Sequence, residues 1–333
     1  MLLYHFNPPV PRADYLASSK VQYDDWRTEL ATQGYCVVKG AIPTDRAISY
    51  QQAAHDWLKS FYPDKLSMTD PATWRAENLP IQSKINTFNH YSISHEKFMW
   101  DTRLEPKVLE AFEKIWGTSD LLVSFDALNV TFPNRTDVPR KPSWEHVDQS
   151  PFRRGLHCVQ GIANLSPSGP EDGGLVVYPG SHLLYDEFFD TQVERATWKT
   201  MDWFGYSTEQ LKFFTSRGIT PRKVCAEVGD LILWDSRTVH YGSEPTELSS
   251  QIRTIIYVAY TPARLASEES LHTKREVFEG WAGTTHWPHD NINVRENRAL
   301  FEDGTQDPLD RSEPMVKPEL SDKLLRLAGV LEY

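Results

Sequence analysis

Cysteine is nearly missing from this 333-residue chain. Cys36, Cys158 and Cys225 are odd in number, far apart and form no C-x-x-C pair. That argues against a disulfide framework and against a cysteine–zinc cluster, and fits a reducing compartment. Long apolar runs are missing too, and none approaches the roughly 20 residues that a membrane-crossing helix needs. The start, Met1-Leu2-Leu3-Tyr4-His5-Phe6-Asn7-Pro8-Pro9, has neither a basic leader nor a sustained apolar stretch, so it does not read as a secretion signal. Leu331-Glu332-Tyr333 is not a peroxisomal tripeptide. A cytoplasmic location is the expectation. Basic runs are absent: Lys and Arg number 35 against 46 Asp and Glu, a net charge of −11. Nucleic acid and anionic membrane surfaces are therefore poor partners. Repeats and low-complexity stretches are absent as well. What remains is an ordinary globular composition, 40% hydrophobic and 24% charged, in a chain long enough for a large core.

Hydrophobic patterning divides the chain. Residues 1–24 are Pro-rich and read as an extended arm. Helical spacing follows over 25–32, over 44–58 after Pro43, and over 104–115 up to Gly117, with a glycine-bounded strand at 34–40. From about 121 the texture changes to short runs of β-formers: 121–132, 155–165, 174–178, 223–228, 230–234 and 253–260. Gly/Pro clusters such as Ser166-Pro167-Ser168-Gly169-Pro170 separate them. Such a series predicts a barrel or jelly roll, so the fold class is mainly β with flanking helices. One domain spans 1–333 in this reading, with a core at about 121–262 and a C-terminal helix and tail at about 263–333. An aromatic, charged insertion at 185–217 is expected to be helical. Its Trp203, Phe204, Tyr206, Phe213 and Phe214 could form a lid or simply pack on the barrel.

The sharpest chemical signal is Trp144-Glu145-His146-Val147-Asp148-Gln149, a His-x-Asp pair. On a strand, residues i and i+2 share a face, so His146 and Asp148 can both point inward. About ninety residues later an apolar strand runs through Gly229-Asp230-Leu231-Ile232-Leu233-Trp234 toward His240. Two histidines and one carboxylate hold Fe(II) on one face and leave the other open for a chelating 2-oxo acid and O2. The far carboxylate of such an acid needs a cation. Arg253, opening the strand Arg253-Thr254-Ile255-Ile256-Tyr257-Val258, could grip it bidentately. Thr254 beside it, Lys84 and Gln160 are further candidates for cosubstrate contact. An isolated H-x-D is a weak motif. H-x-D, a distal His and an Arg at this spacing among strands are together far more specific.

These residues resemble the phytanoyl-CoA dioxygenase family of Fe(II)- and 2-oxoglutarate-dependent oxygenases, over about 30 to 290. Residues 34–40 resemble its opening strand and 144–149 its H-x-D region. Gly173-Gly174-Leu175-Val176-Val177-Tyr178-Pro179-Gly180-Ser181-His182 resembles its "PGSH" segment, and 229–240 with Arg253 its distal histidine and cosubstrate arginine. Gln160–Leu165, Trp234–Arg237 and Thr284–His289 point to a fungal branch. The resemblance implies a double-stranded β-helix (jelly-roll, cupin-like) core. It implies catalytic and metal-binding roles for His146, Asp148 and His240, and Fe(II), 2-oxoglutarate and O2 as cofactors, with ascorbate as a supporting reductant. It also implies oxidation of a small organic molecule: hydroxylation, desaturation or ring rearrangement. Halogenation is disfavoured because the carboxylate ligand Asp148 is present. Many relatives carry Arg-x-Ser where this chain has Ile255 in third place, so secondary cosubstrate contacts stay open.

Two other readings compete. A zinc hydrolase or isomerase could use the same ligands, but would not need Arg253. A non-catalytic jelly-roll binding protein would have no reason to keep three ligands. The expected partner is a small, lipophilic substrate, and the assembly a monomer or homodimer.

Overall fold

Leu231-Ile232-Leu233-Trp234-Asp235 is buried at every position, so this strand must be covered on both faces. A computed structural model, which describes residues 23–333, shows how. All but the last two residues of the expected arm lie outside the described residues. The described residues form β1 (Tyr35–Val38), β2 (Thr87–Phe88), β3 (Leu121–Val123), β4 (Leu128–Thr131), β5 (His146–Val147), β6 (Val159–Asn164) and β7 (Gly174–Val177). After these come β8 (Phe204–Gly205), β9 (Arg222–Lys223), β10 (Leu231–Asp235), β11 (His240–Ser243), β12 (Arg253–Pro262), β13 (Gly283–Thr284) and β14 (Val294–Arg295). The larger sheet runs β1-β10-β6-β12-β4-β2, with β3 on the far end of β12. The smaller runs β8-β5-β11-β7-β9. Neighbouring strands in both are antiparallel.

Period-2 alternation sorts the side chains. Tyr35, Ile162, Ile232, Trp234 and Ile255 of the larger sheet meet Leu175 and Val177 of the smaller one between the layers. Their chain neighbours Cys36, Ala163, Leu231, Leu233 and Ile256 face the other way, into a core shared with Trp57, Leu58, Phe112 and Trp116. Those four come from the helices Thr44–Lys59 and Pro106–Trp116. The second helix ends at Gly117, whose φ of 66° is left-handed and whose N–H reaches Glu113 O at 2.7 Å. Helices hold 30% of the described residues and strands 18%, so "mainly β" describes the site-bearing core rather than the residue count.

The smaller sheet is covered on its outer face by the insertion. Phe188 and Phe189 of helix Tyr185–Gln192, and Phe213 and Phe214 of helix Thr208–Thr215, pack on Val147, Tyr178 and Val239. Several sequence expectations change in detail. The 121–132 run splits into β3 and β4, with Asp126 capping its own neighbour's N–H at 2.7 Å in the loop between them. The 223–228 run keeps only β9 and an isolated bridge at Ala226. His240 does not continue β10: the chain turns at Ser236–Val239 and opens β11 in the other sheet. No helix among the described residues is long and apolar enough to cross a membrane.

Candidate metal centre and cavity

Antiparallel pairing of β5 with β11 sets His146 directly opposite His240, with ring centroids 4.3 Å apart. Asp148 lies just past β5, where its N–H bonds Ser236 O at 2.9 Å and so ties the H-x-D segment to the turn after β10. That turn is fixed in its own right. Thr238 Oγ1 donates to Gly34 O at 2.9 Å, and a Cβ on Gly34 would fall 2.4 Å from Thr238 Oγ1. Asp148 carboxylate oxygens stand 3.6 Å from His146 Nε2 and 3.2 Å from His240 Nε2. The three ligand atoms lie within 4.8 Å of one another.

Each imidazole is oriented from behind. Nδ1 of His146 is 2.9 Å from Trp144 O, and Nδ1 of His240 is 2.8 Å from Thr238 O. A carbonyl can only accept, so Nδ1 carries the proton and each Nε2 lone pair faces the carboxylate. Burial, reinforced by His240, pushes the His146 pKa down to about 4. Burial alone would raise the Asp148 carboxyl, but the His146 and His240 imidazoles beside it hold it far below the usual carboxylate range. Two neutral imidazoles and one carboxylate, converging from one side, fit Fe(II). His289 lies apart from the triad and sets Nδ1 2.9 Å from Thr261 Oγ1. No other cluster of metal-ligating side chains occurs among the described residues.

The triad opens into a cavity of about 390 Å³ whose lining includes Arg253, Gln160 and Lys84. Arg253 is 4% exposed; it hydrogen-bonds Tyr257 and makes one long bond, Nη1 to Asn129 Oδ1 at 3.4 Å. Its Nε has no partner, and no carboxylate comes within ion-pair distance among the described residues. A buried guanidinium so poorly matched is suited to an incoming carboxylate. The neighbouring Lys223 deepens the positive field, although burial and Arg253 push its pKa down to about 8. Gln160 approaches the metal ligands: its Nε2 donates to Asp148 Oδ2 at 2.9 Å. Lys84 is exposed at the cavity mouth. Thr254 faces away, as the strand neighbour of Arg253 must, and its Oγ1 is 2.9 Å from His55 Nε2 under the helix Thr44–Lys59.

Loops supply the rest of the wall. Trp144 stacks on the His146 ring at 4.1 Å with 10° between planes, and Trp203 stands 6.2 Å away. Trp203 and Met201 line the cavity, while Phe204, Phe213 and Phe214 pack on the sheet, so the insertion serves both expected roles. Residues 285–287, 291, 293 and 295 of the C-terminal segment face it. A buried clasp fastens these loops to the turn after H-x-D. Asp202 accepts from Ser150 N (2.9 Å), Arg153 Nε (2.8 Å), Arg153 Nη2 (3.0 Å) and Asn291 Nδ2 (2.6 Å), and Arg153 Nη1 reaches Asp290 at 2.9 Å. Sequence reasoning missed Asn129, Tyr257 and Asp126. Tyr257 could have been found, since it shares a strand face with Arg253 at i+4. His90 and His95 do not line the cavity; His95 is buried among Trp100, Phe125 and Phe278.

Comparison with known proteins agrees with this geometry. The family model "Phytanoyl-CoA dioxygenase (PhyH)" matches residues 30–255. "Ava biosynthesis cluster protein O" of Aspergillus versicolor is 38% identical over 278 residues, covering 81% of this chain and 88% of its own. Among solved structures, EctD from S. alaskensis with 2-oxoglutarate and 5-hydroxyectoine shares the fold with a TM-score of 0.52. It is 16% identical, covering 77% of this chain and 83% of its own. The epimerase SnoN in complex with Fe3+, alpha ketoglutarate and nogalamycin RO has a TM-score of 0.50. It is 16% identical and covers 89% of this chain and 94% of its own. The fold, the His-Asp-His centre and the matched family model converge: the chain belongs to the phytanoyl-CoA dioxygenase (PhyH) family of Fe(II)- and 2-oxoglutarate-dependent oxygenases.

Proposed function

We propose that this chain, as a single catalytic domain in the cytoplasm, oxidises a small, largely apolar organic molecule by hydroxylation, desaturation or ring rearrangement. The observation that carries this reading is the convergence of His146, Asp148 and His240 beside the buried guanidinium of Arg253, whose Nε has no partner, in one cavity. Iron bound by the triad would supply O2 activation coupled to conversion of 2-oxoglutarate to succinate and CO2. The protein's own groups do the rest. Trp144 O and Thr238 O keep both imidazoles turned with Nε2 inward. Gln160 fixes the Asp148 carboxylate. Arg253, assisted by Lys84 at the mouth, takes the far carboxylate of 2-oxoglutarate and so sets which end faces the metal. Trp144, Met201 and Trp203 offer the substrate an apolar surface and exclude water from the reacting carbon.

The neutral, partly apolar lining favours this over a zinc hydrolase, for which Arg253 has no task. The discriminating assay supplies purified protein with Fe(II), ascorbate and 2-oxoglutarate. Iron-dependent succinate formation is expected even at a slow, uncoupled rate. No succinate with iron, together with metal-stimulated hydrolysis in the presence of zinc, would overturn the reading. The homologue's place in a fungal biosynthesis cluster supports a secondary metabolite as substrate.

A further inference from the structure

The C-terminal segment 285–295 has polar atoms that nothing in the protein satisfies. Thr285 Oγ1, His286 Nε2, Trp287 Nε1 and Arg295 Nε are all buried without a hydrogen-bond partner, and all four residues line the cavity. An unmet buried donor or acceptor costs about 1–3 kcal/mol, so four on one short segment mark a place prepared for a ligand. Arg253 already accounts for the cosubstrate's anionic end, and it sits on a strand of the larger sheet rather than on this segment.

The charge of the wall narrows the ligand. Asp126 also lines the cavity, and its carboxylate accepts from the N–H of Ala127. Burial pushes its carboxyl up, and Arg295 and then His286 are the strongest influences drawing it back down. Asp126 therefore offsets Arg295, and a second carboxylate brought here would meet repulsion from it. A neutral oxygen would not. One stretch of the remaining lining is flat and apolar: Trp144 stacked on His146, with Met201 and Trp203 53% and 43% exposed at the rim.

We propose that His286 and Arg295 form a substrate-recognition wall that donates hydrogen bonds to a neutral carbonyl or hydroxyl oxygen of a flat, otherwise apolar substrate lying along Trp144 and Trp203. This rests on the oxygenase reading above for the identity of the ligand as substrate. The clasp through Asp202 and Asn291 holds the wall in register with the metal-bearing turn.

The test uses matched probes: 9-fluorenone against fluorene, and benzophenone against diphenylmethane. Each is titrated calorimetrically into the full chain, both metal-free and loaded with Fe(II) and 2-oxoglutarate under anaerobic conditions. The ketone of each pair is expected to bind about tenfold more tightly than its hydrocarbon, the worth of a good hydrogen bond in a buried site. His286→Phe and Arg295→Met should each cut that preference to about threefold or less, and His286→Asn, which keeps a donor, should restore part of it. Equal affinity within the pairs, no binding by any ketone, or a preference that survives both variants would overturn the proposal. A ketone preference in the metal-free protein without any iron-dependent 2-oxoglutarate binding would uphold the wall and sink the oxygenase reading instead.

Discussion

The two sides of the cavity are built by different means. One is sheet: His146 and His240 face each other across a ladder, and Gln160, Arg253 and Tyr257 point inward from β6 and β12. Their positions follow from register, and a one-residue slip would turn every one of them away. The other side is mostly loop: 84–86, 201–203 and 285–295, where β14 is only two residues. Its geometry depends on single buried contacts, chiefly Asp202 with Arg153. The chemistry is thus carried by the part of the fold that tolerates least variation. Substrate choice is left to segments that can change without disturbing the metal.

The contrast is broken most severely at the ladder. His146→Ala or Asp148→Ala should strip iron from the protein and reduce succinate formation to background. Metal content after desalting checks this, and iron retained at one equivalent would refute the ligand assignment. The loop side answers to the clasp. Asp202→Ala removes the acceptor of two Arg153 hydrogen bonds and leaves Asp290 as the carboxylate beside that buried guanidinium. A loss of roughly 3 kcal/mol in unfolding free energy is expected from denaturant midpoints. A loss below about 1 kcal/mol would mean that the two sides fold as independent pieces. Arg253→Met tests the cosubstrate end. Loss of a charge-assisted, bidentate contact should weaken 2-oxoglutarate binding about 30- to 100-fold, and Arg253→Lys should recover only part. The KM for 2-oxoglutarate, measured at saturating iron, reads the effect. An unchanged KM would move the anion site elsewhere, with Lys223 and Lys84 the next cations to test.

The sheet side was the legible one. His146 and Asp148 stand out because strand periodicity converts spacing into direction, while His240 and Arg253 were picked out with the help of the family resemblance. The same rule, applied strictly, places Thr254 on the opposite face from Arg253, where its hydroxyl meets His55. The break between β10 and β11 was not legible. Residues 231–240 read as one strand with a turn-like end, and only the pairing of His240 with His146 reveals a second sheet. The loop side was legible in kind but not in role. Trp203 and Phe204 are chain neighbours with the same aromatic character, yet one faces the cavity and the other packs against Phe189. The network through Asp202 spans from residue 150 to 291, and no local pattern announces a contact of that length.

Gln160 was expected to touch the cosubstrate, and its geometry gives it a second task that separates the two ideas. Its Nε2 lies 2.9 Å from Asp148 Oδ2 and 3.4 Å from Ser236 Oγ. The first is a full hydrogen bond to an ionised ligand; the second is at the edge of one. A donor behind a ligating carboxylate fixes which oxygen faces the metal, and removing such a group commonly costs 10- to 100-fold in metal affinity. Gln160→Leu keeps the volume and deletes the donor, so iron should bind about tenfold more weakly, toward the low end because the His240 side still restrains Asp148. Ser236→Ala should change affinity by less than about twofold. If Gln160 instead grips 2-oxoglutarate, the same leucine variant would raise the KM for that acid and leave the iron titration where it was. The two titrations, run on one protein, decide whether this strand residue serves the metal or the cosubstrate.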